Sequence, residues 1–314
     1  MIPKQYESGL STSVVTAIRG GWPFVPDMLR SLTRQTLPVH EVVIVDDGMD
    51  ELSRAAIEQQ CGLPINVVRS EGRGLAAALN TGLRTAKSDV IIRLDADDIA
   101  LPSRVALQLN YLERHPETVA VGGQIQRIAE NGNHLGISNL PISHEDILRN
   151  LRRGQHAIAH SSLAFRRSAA LSIGGYWDEG VAEDWDFYLR MASAGRIENL
   201  DQTLIEYRFH GASINGGQML AVRQHIAFAV DLDTKRQRLQ PASSYDQFLR
   251  GRSLVHRGND RREALGLAWY RNALNAGGRP ARLLGLLAAA CVLPDFYLRR
   301  VARSASGVSR SGGE

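Results

Sequence analysis

Short runs of apolar and β-branched residues alternate with helical patterns along the first half of the chain. Four such runs predict strands at residues 13–18, 41–45, 65–69 and 89–94. A segment with the apolar spacing of a helix follows each run, beginning near residues 26, 53, 74 and 102. Because the runs are nearly continuously apolar, we expect helices to cover both faces of the strands. The pattern therefore predicts stacked βα units and an α/β fold with a mainly parallel sheet.

The pattern changes in the second half of the chain. From about residue 119 it is mixed, with strand-like VAVGGQIQRI and HSSLAFRR and helical AEDWDFYLRMASAG. After about residue 215 it is largely helical, and the final SASGVSRSGGE has the composition of a disordered end. We therefore predict an α/β domain at 1–214, a helical C-terminal extension at 215–303 and a disordered tail at 304–314.

Composition and charge exclude several classes of protein. The chain has 314 residues, of which 44% are hydrophobic and 22% charged, as in an ordinary globular protein. Cys61 and Cys291 are too few and too far apart for a disulfide framework or a cysteine zinc site. Residues 215–314 carry 16 basic and 7 acidic side chains, which leaves 21 basic and 26 acidic for residues 1–214. Because an acidic body is a poor platform for nucleic acid, we expect no nucleic-acid partner.

The basic extension contains an eleven-residue apolar run at 283–293. Arginines flank this run on both sides, at Arg279, Arg282, Arg299, Arg300 and Arg303. The run is too short to cross a membrane and is typical of a buried helix. Alternatively, it lies at an anionic membrane surface, where each Lys or Arg adds about 1 kcal/mol. The N-terminal residues lack the apolar core of a secretory signal, so we expect a cytoplasmic protein, with 279–303 as the segment for peripheral contact with the inner face of the cell membrane.

Two acidic clusters directly follow predicted strands: DDG at 46–48 and DADD at 95–98. Alone, DDG is typical of a turn, and Asp98 could cap the helix that begins near Pro102. Three carboxylates within four residues repel one another unless a cation offsets their charge, and a hard divalent ion with oxygen ligands suits them. Because ligands of open α/β sheets bind at the carboxyl ends of the strands, the two clusters predict a site at that edge.

These motifs resemble a known family. DDG, the DADD element about fifty residues later, AEDWDFYLRMA and YRFH are similar, in order and spacing, to the family 2 glycosyltransferases with the GT-A fold, over about residues 11–213. The resemblance implies a Rossmann-like GT-A fold and inverting transfer of a sugar from a nucleotide-diphospho-sugar, here expected to be a UDP-sugar, to an acceptor hydroxyl. The chain lacks the QXXRW element of processive members, so we expect addition of a single sugar. The implied acceptor is a saccharide or lipid-linked saccharide, because bacterial members commonly build surface or extracellular polysaccharides.

The resemblance also implies roles for individual residues. The nucleotide-sugar would be held by Thr16, Ala17, Asp46, Arg73 and Asp95. A divalent cofactor, Mn²⁺ or Mg²⁺, would be held by Asp95 and Asp97, with His210 as a further ligand. Asp184 matches the catalytic base. A helix start at this position would lower the pKa of Asp184, whereas Glu183 and the diphosphate would raise it, so the sequence leaves the direction open.

Five further residues could contact the acceptor or the sugar: His160, Gly175, Tyr176, Glu183 and Trp185. Each has a plain structural alternative. Glu183 and Asp184 could cap a helix, and Trp185 could belong to the core instead of stacking on a sugar ring. His160 could be a buried histidine, and the segment around Gly175 could be an ordinary turn.

Two other functions remain open at this point. One is a nucleotide-sugar-binding or scaffold protein without transfer activity, which the presence of both Asp97 and Asp184 disfavours. The other is a sugar nucleotidyltransferase on a similar fold, which needs a Gly-rich basic loop after the first strand, and TAIRGGWPF matches such a loop poorly. The same segment lacks the GxGxxG of oxidoreductases and the GxxxxGK of NTPases.

Overall fold

The computed structural model describes residues 9–20, 23–60, 62–177, 180–209, 219–275 and 279–293. The chain divides into two compact units, Met1–Arg127 with Gly136–Arg208 and Ile128–Leu135 with Phe209–Glu314. The boundary predicted at 214 and the tail predicted at 304–314 lie outside the described residues, so this domain division stays a prediction.

The strands are, in chain order, β1 (Thr12–Gly20), β2 (Glu41–Met49), β3 (Ile65–Arg69), β4 (Val90–Arg93), β5 (Ile99–Ala100), β6 (Thr118–Ala129), β7 (His134–Ile137), β8 (Ala164–Arg166) and β9 (Arg196–Phe209). The helices are α1 (Val25–Thr33), α2 (Glu51–Glu58), α3 (Leu75–Thr85), α4 (Arg104–Arg114), α5 (His144–Arg152), α6 (Arg167–Ser172), α7 (Glu183–Ala194), α8 (Met219–Gln237), α9 (Tyr245–Gly251), α10 (Leu254–Asn275) and α11 (Arg279–Val292). A short 3-10 turn at His160–Ser162 precedes β8.

Within the described part of the chain, nine strands form one sheet in the order β3-β2-β1-β4-β8-β6-β9-β5, with β7 paired to β6. The first four strands along this order are parallel, whereas β8 pairs antiparallel with β4 and β6, and β5 pairs antiparallel with β9. The predicted α/β fold with flanking helices and C-terminal helices is confirmed. The sheet is mixed, and its antiparallel strands come from the region where the sequence pattern loosens.

The parallel strands bury both faces because helices pack on each side. On one face, Val14 and Ile18 of β1 join a core with Met28 and Leu29 of α1, and all four are fully buried. On the other face α3 lies directly against the sheet: a Cβ added to Gly82 would come within 2.5 Å of the Val15 side chain. The small side chains of α3, which has three alanines and Gly82, allow this close approach to β1.

The strand order determines where the acidic clusters meet. β2 and β3 lie on one side of β1 and β4 lies on the other, so the order in which the strands are added to the sheet reverses next to β1. Asp46 of β2 is level with Ile18 of β1, and Arg93 of β4 is level with Val15. The DDG element at 46–48, in the last part of β2, and the DADD loop at 95–98, after β4, therefore lie at the same edge of the sheet.

The second unit contains α8 to α11. Gly266 of α10 and Gly285 of α11 allow the two helices to pack closely, because added Cβ atoms would come within 2.5 Å of Leu293 and 2.6 Å of Ala273. Tyr270 and Ala289 form the buried centre of this packing. In the described residues, no helix combines the length and the apolarity that crossing a membrane requires.

Candidate active site at the carboxyl edge of the sheet

The DADD loop brings three carboxylates together between β4 and β5. Asp95, Asp97 and Asp98 each offer an oxygen, and these oxygens all lie within 4.8 Å of one another. Asp98 does not cap a helix, because the N-cap of α4 is Ser103. The two cation ligands predicted in this loop are thus side by side, with Asp98 beside them. The third predicted ligand, His210, lies outside the described residues.

Asp98 is the most buried of the three acids, with 1% of its surface exposed. Its Oδ1 accepts a hydrogen bond of 2.8 Å from the backbone N–H of Arg208. Among the described residues its Oδ2 has no hydrogen-bond partner, although the nearby Ser161 hydroxyl acts to lower its pKa. Burial, with the charges of Asp97 and Asp95, raises the pKa of Asp98 well above its ordinary value. An unpartnered buried carboxylate oxygen is costly, and a cation would offset that cost.

Three buried arginines surround the DADD loop. Arg93 donates to Asp95 Oδ1 from beneath the loop, and Arg104 donates to the Arg93 carbonyl at 2.6 Å. Arg208 donates from Nε to the Asp97 carbonyl at 3.0 Å and stacks over the Phe24 ring. Burial lowers the pKa of Arg104 to about 9. These guanidinium groups offset part of the acidic charge and hold the backbone of the loop in place.

Asp46 lies in the last part of β2, where its side chain is bonded to the residues that follow it. Its Oδ1 accepts the backbone N–H groups of Gly48 at 2.9 Å and Met49 at 2.7 Å, and its Oδ2 accepts from Arg54 on α2. Burial raises the pKa of Asp46, but the hydrogen bonds from Met49, Gly48 and Arg54 outweigh it, so the pKa lies below its ordinary value. Asp46 is therefore an ionised group in a fixed orientation.

The other predicted nucleotide residues lie at or near the same edge. The Thr16 side chain is fully buried in β1, and its hydroxyl has no hydrogen-bond partner among the described residues. Ala17 is half-buried, and Arg73 is exposed in the loop between β3 and α3. The backbone N–H of Ser70 in this loop donates to the Asp46 carbonyl at 2.9 Å, which connects the loop to the end of β2.

A second acidic pair lies at the start of α7. The helix begins at Glu183, directly after Ala182, which has a left-handed φ of 66°. Burial raises the pKa of Asp184 to about 6. A 3.4 Å hydrogen bond from the Tyr188 hydroxyl and the backbone N–H of Trp185 both act to lower this pKa. Asp95 also raises the pKa of Asp184, so the charges of α7 and the DADD loop interact. Burial and the charge of Asp184 raise the pKa of Glu183 to about 7.

Aromatic residues form a buried layer behind this pair. The Tyr176 hydroxyl lies 3.0 Å from His160 Nε2, and the Tyr176 ring stacks on Phe187 at a centroid distance of 4.1 Å. Tyr188 packs edge-on against His160 at 6.1 Å. Tyr176 is 4% exposed and Tyr188 is 2% exposed, so these rings reduce the access of water to the start of α7, which raises the pKa values of its carboxyl groups.

Sequence similarity to known proteins identifies the family of the chain. Residues 13–174 match the sequence model of glycosyl transferase family 2, which is more than half of the chain. The chain belongs to glycosyl transferase family 2. The amylovoran biosynthesis glycosyltransferase AmsE of Erwinia amylovora is 35% identical over 191 residues, which cover 60% of this chain and 71% of that protein. An Escherichia coli UDP-Gal:alpha-D-GlcNAc-diphosphoundecaprenol beta-1,3-galactosyltransferase is 26% identical over 207 residues, which cover 64% of this chain and 75% of that enzyme.

Solved structures of other proteins share the fold of this one. The mannosyltransferase PcManGT from Pyrobaculum calidifontis, solved with GDP-Man and Mn²⁺, is 20% identical and has a TM-score of 0.55, covering 92% of this chain and 84% of that chain. Residues 1-349 of S. aureus TarS, solved with UDP-GlcNAc, are 17% identical with a TM-score of 0.55, covering 91% of this chain and 82% of that chain. At these identities the likeness shows the fold, and it agrees with the predicted fold class.

Trp185 and Gly175 of this glycosyltransferase have structural roles in the described residues. Trp185 is 4% exposed and donates its indole N–H to the Leu151 carbonyl at 3.1 Å, which favours the core alternative over sugar stacking. Gly175 has a φ of 73°, and an added Cβ would come within 2.4 Å of Asn80 Oδ1. The Asn80 side-chain amide donates to the Tyr176 carbonyl at 2.7 Å and accepts from the Tyr176 backbone N–H at 2.8 Å. The geometry therefore favours a clamped turn at Gly175, which places Tyr176 against His160.

Sequence reasoning missed several of these residues. Arg93 is a charged residue in an otherwise apolar strand, and Asn80 directly follows the apolar GLAAAL segment, so both residues stand out in the sequence. Arg54 lies in a helix with an ordinary amphipathic pattern, and its pairing with Asp46 has no signature in the sequence. Arg54 is 8 residues from Asp46 and Asn80 is 96 residues from Tyr176, so only the folded chain identifies these partners.

Proposed function

We propose that this glycosyltransferase transfers a single sugar, with inversion, from a UDP-sugar to a hydroxyl of a saccharide or lipid-linked saccharide, in the assembly of a bacterial surface or extracellular polysaccharide. The observation that carries the proposal is the combination of two acidic groups whose charges interact: the DADD loop, and Asp184, with its pKa raised to about 6. The relatives support the acceptor class: AmsE is named for amylovoran biosynthesis, and the Escherichia coli enzyme for a diphosphoundecaprenol-linked acceptor.

The DADD loop fits a divalent cation. Its ligand atoms are carboxylate oxygens, which Mg²⁺ and Mn²⁺ prefer, and the unpartnered Asp98 Oδ2 adds a reason for positive charge nearby. Asp95 and Asp97 would hold the ion, with His210 as a further ligand. When bound, Mn²⁺ or Mg²⁺ supplies Lewis-acid stabilisation for the negative charge on the departing diphosphate.

Asp184 is the general base in this proposal. As the acceptor oxygen bonds to the anomeric carbon and the bond to the diphosphate breaks, the hydroxyl proton passes to the Asp184 carboxylate. With a pKa of about 6, Asp184 is a stronger base than an ordinary aspartate and is still ionised at neutral pH. Glu183 lies beside Asp184, and each of these carboxyl groups has a raised pKa because of burial. A single displacement inverts the anomeric centre, so an α-linked donor gives a β product.

The surroundings of Asp46 support uracil as the base of the donor. A carboxylate has about four acceptor positions, and Gly48, Met49 and Arg54 occupy three of those on Asp46. One position remains, on Oδ2, which suits the single imide N–H of uracil. Guanine presents two adjacent N–H donors and would leave one unpaired. Thr16, Ala17 and Arg73 complete the proposed nucleotide site.

A panel of nucleotide sugars tests the proposal. The full chain is incubated with Mn²⁺, each UDP- or GDP-sugar and a pool of lipid-linked saccharides, and released nucleotide is measured. We expect UDP release with at least one UDP-sugar, and NMR of the product should show the inverted anomer. Nucleotide binding without release under any condition would favour a binding or scaffold protein, whereas pyrophosphate release from UTP and a sugar 1-phosphate would indicate a nucleotidyltransferase.

A further inference from the structure

The helix α11 exposes large apolar side chains on one side. Leu283, Leu284 and Leu287 are 59%, 68% and 55% exposed. Residues three and four positions apart lie on the same side of a helix, so these leucines form one continuous group, here called the apolar face of α11. Contiguous exposed groups of this kind are uncommon on monomeric proteins and mark interaction sites.

The opposite side of α11 is well packed. Ala289 is fully buried against α10, Leu293 is 8% exposed, and the Gly285 backbone lies close to Ala273. The helix is therefore anchored within its own unit, and the exposed leucines are not a result of loose packing. The sequence alternative of a wholly buried helix does not describe α11, because only one of its sides is covered.

The surrounding sequence supplies positive charge. Residues 279–303 contain five arginines and a single acidic residue, Asp295. An apolar helix face combined with basic residues is the composition of a helix that lies at a membrane interface. A second copy of this chain is a poorer occupant, because two segments of net positive charge would face each other.

We propose that the apolar face of α11 binds the surface of a bilayer that contains anionic lipids. α11 has 14 residues and spans about 21 Å at about 1.5 Å per residue, so it is short of a bilayer's hydrocarbon core of about 30 Å and lies along the surface. The leucines enter the boundary between headgroups and acyl chains, and the net positive charge of the sequence 279–303 favours anionic lipids. This inference goes beyond glycosyl transfer and does not depend on it.

Vesicle flotation of the full chain tests the inference. Vesicles of phosphatidylcholine mixed with phosphatidylglycerol are compared with vesicles of phosphatidylcholine alone, at low and high salt. The test variant combines Leu283→Gln, Leu284→Gln and Leu287→Gln. Its matched control, Leu52→Gln with Leu171→Gln, changes leucines of the first unit that are 78% and 41% exposed. Circular dichroism verifies that both variants are folded.

We expect the unaltered chain and the control to float with the anionic vesicles, and salt to weaken this binding by screening. The bound fraction of the α11 variant should fall by about tenfold or more, because its apolar contacts are lost. Equal flotation of the variant and the unaltered chain would overturn the proposal, as would equal binding to the uncharged vesicles. Light scattering without lipid tests whether a second copy of the chain binds this face instead. If the unaltered chain is a dimer that does not float with vesicles, and the α11 variant is a monomer, the proposal is overturned and the face is a dimer interface.

Discussion

Replacing Asp184 by asparagine should stabilise the protein at neutral pH while removing its proposed base. The pKa of Asp184 is raised from 3.8 to about 6, so the folded protein binds the Asp184 proton more tightly than the unfolded chain does. The stabilisation of the folded protein by this bound proton is fully present below a pH of about 4 and is lost as the pH rises through about 6. The asparagine amide of the variant would be neutral throughout and could still accept from Tyr188 and the Trp185 N–H.

The size of the effect follows from the pKa shift. About two pKa units correspond to about 3 kcal/mol at about 1.4 kcal/mol per unit. The Asp184 side chain is half-buried, so solvent screens part of this free energy. We therefore expect Asp184→Asn to raise the free energy of unfolding by about 1–2 kcal/mol at neutral pH. For a unit of this size the gain corresponds to a rise in melting temperature of about 2–8 °C.

Thermal unfolding without added metal, from about pH 4 to pH 8, measures the gain. The difference between Asp184→Asn and the unaltered protein should be small at the acidic end and grow as the pH rises. Asp95, Asp98 and Glu183 also have raised pKa values, so part of the pH dependence will remain in the variant. The exposed Asp201→Asn is the control and should change little. If the variant were less stable than the unaltered protein at neutral pH, the Asp184 carboxylate would stabilise the fold, and the predicted cost of its burial would be wrong.

Three further outcomes are expected. Tyr188→Phe removes the hydrogen bond that lowers the pKa of the base, so the acidic limb of the pH–rate profile should move up by about half a unit, with Tyr176→Phe as the control. Asp97→Ala should abolish metal-dependent UDP binding in calorimetry, and His210→Ala should weaken it less; full activity in EDTA would contradict both. Arg54→Ala should change the melting temperature by no more than about 2 °C and weaken UDP binding by up to about tenfold, and unchanged UDP binding would mean that Arg54 does not hold Asp46 for the donor.

The parallel part of the fold could be predicted because its signal is local. The run predicted at 65–69 coincides with β3, and the run at 41–45 forms the first part of β2. The helix predicted from 53 begins two residues earlier, because Asp50 caps α2 by accepting the Ser53 N–H. Continuous apolar runs between polar turns carry this information, whereas the antiparallel pairing of β8 with β4 depends on contacts between distant segments.

The candidate site could be predicted only in part. Acidic residues after strands and at a helix start are visible in the sequence, and the structure brings Asp95 and Asp97 together as expected. The direction of the pKa shift of Asp184 was not predictable, because burial outweighs the local effect of the helix start only in the folded chain. Tyr176 illustrates the same limit: its stacking on Phe187 depends on the position of α7 and not on neighbouring residues.

The turnover of Asp184→Asn at saturating UDP-sugar, measured together with its donor affinity, tests whether Asp184 is the general base. We expect a turnover at least about 10²-fold lower, the lower end of general-base assistance, with donor affinity nearly unchanged. Normal turnover of the variant would contradict the claim, and so would a loss of donor binding and stability together.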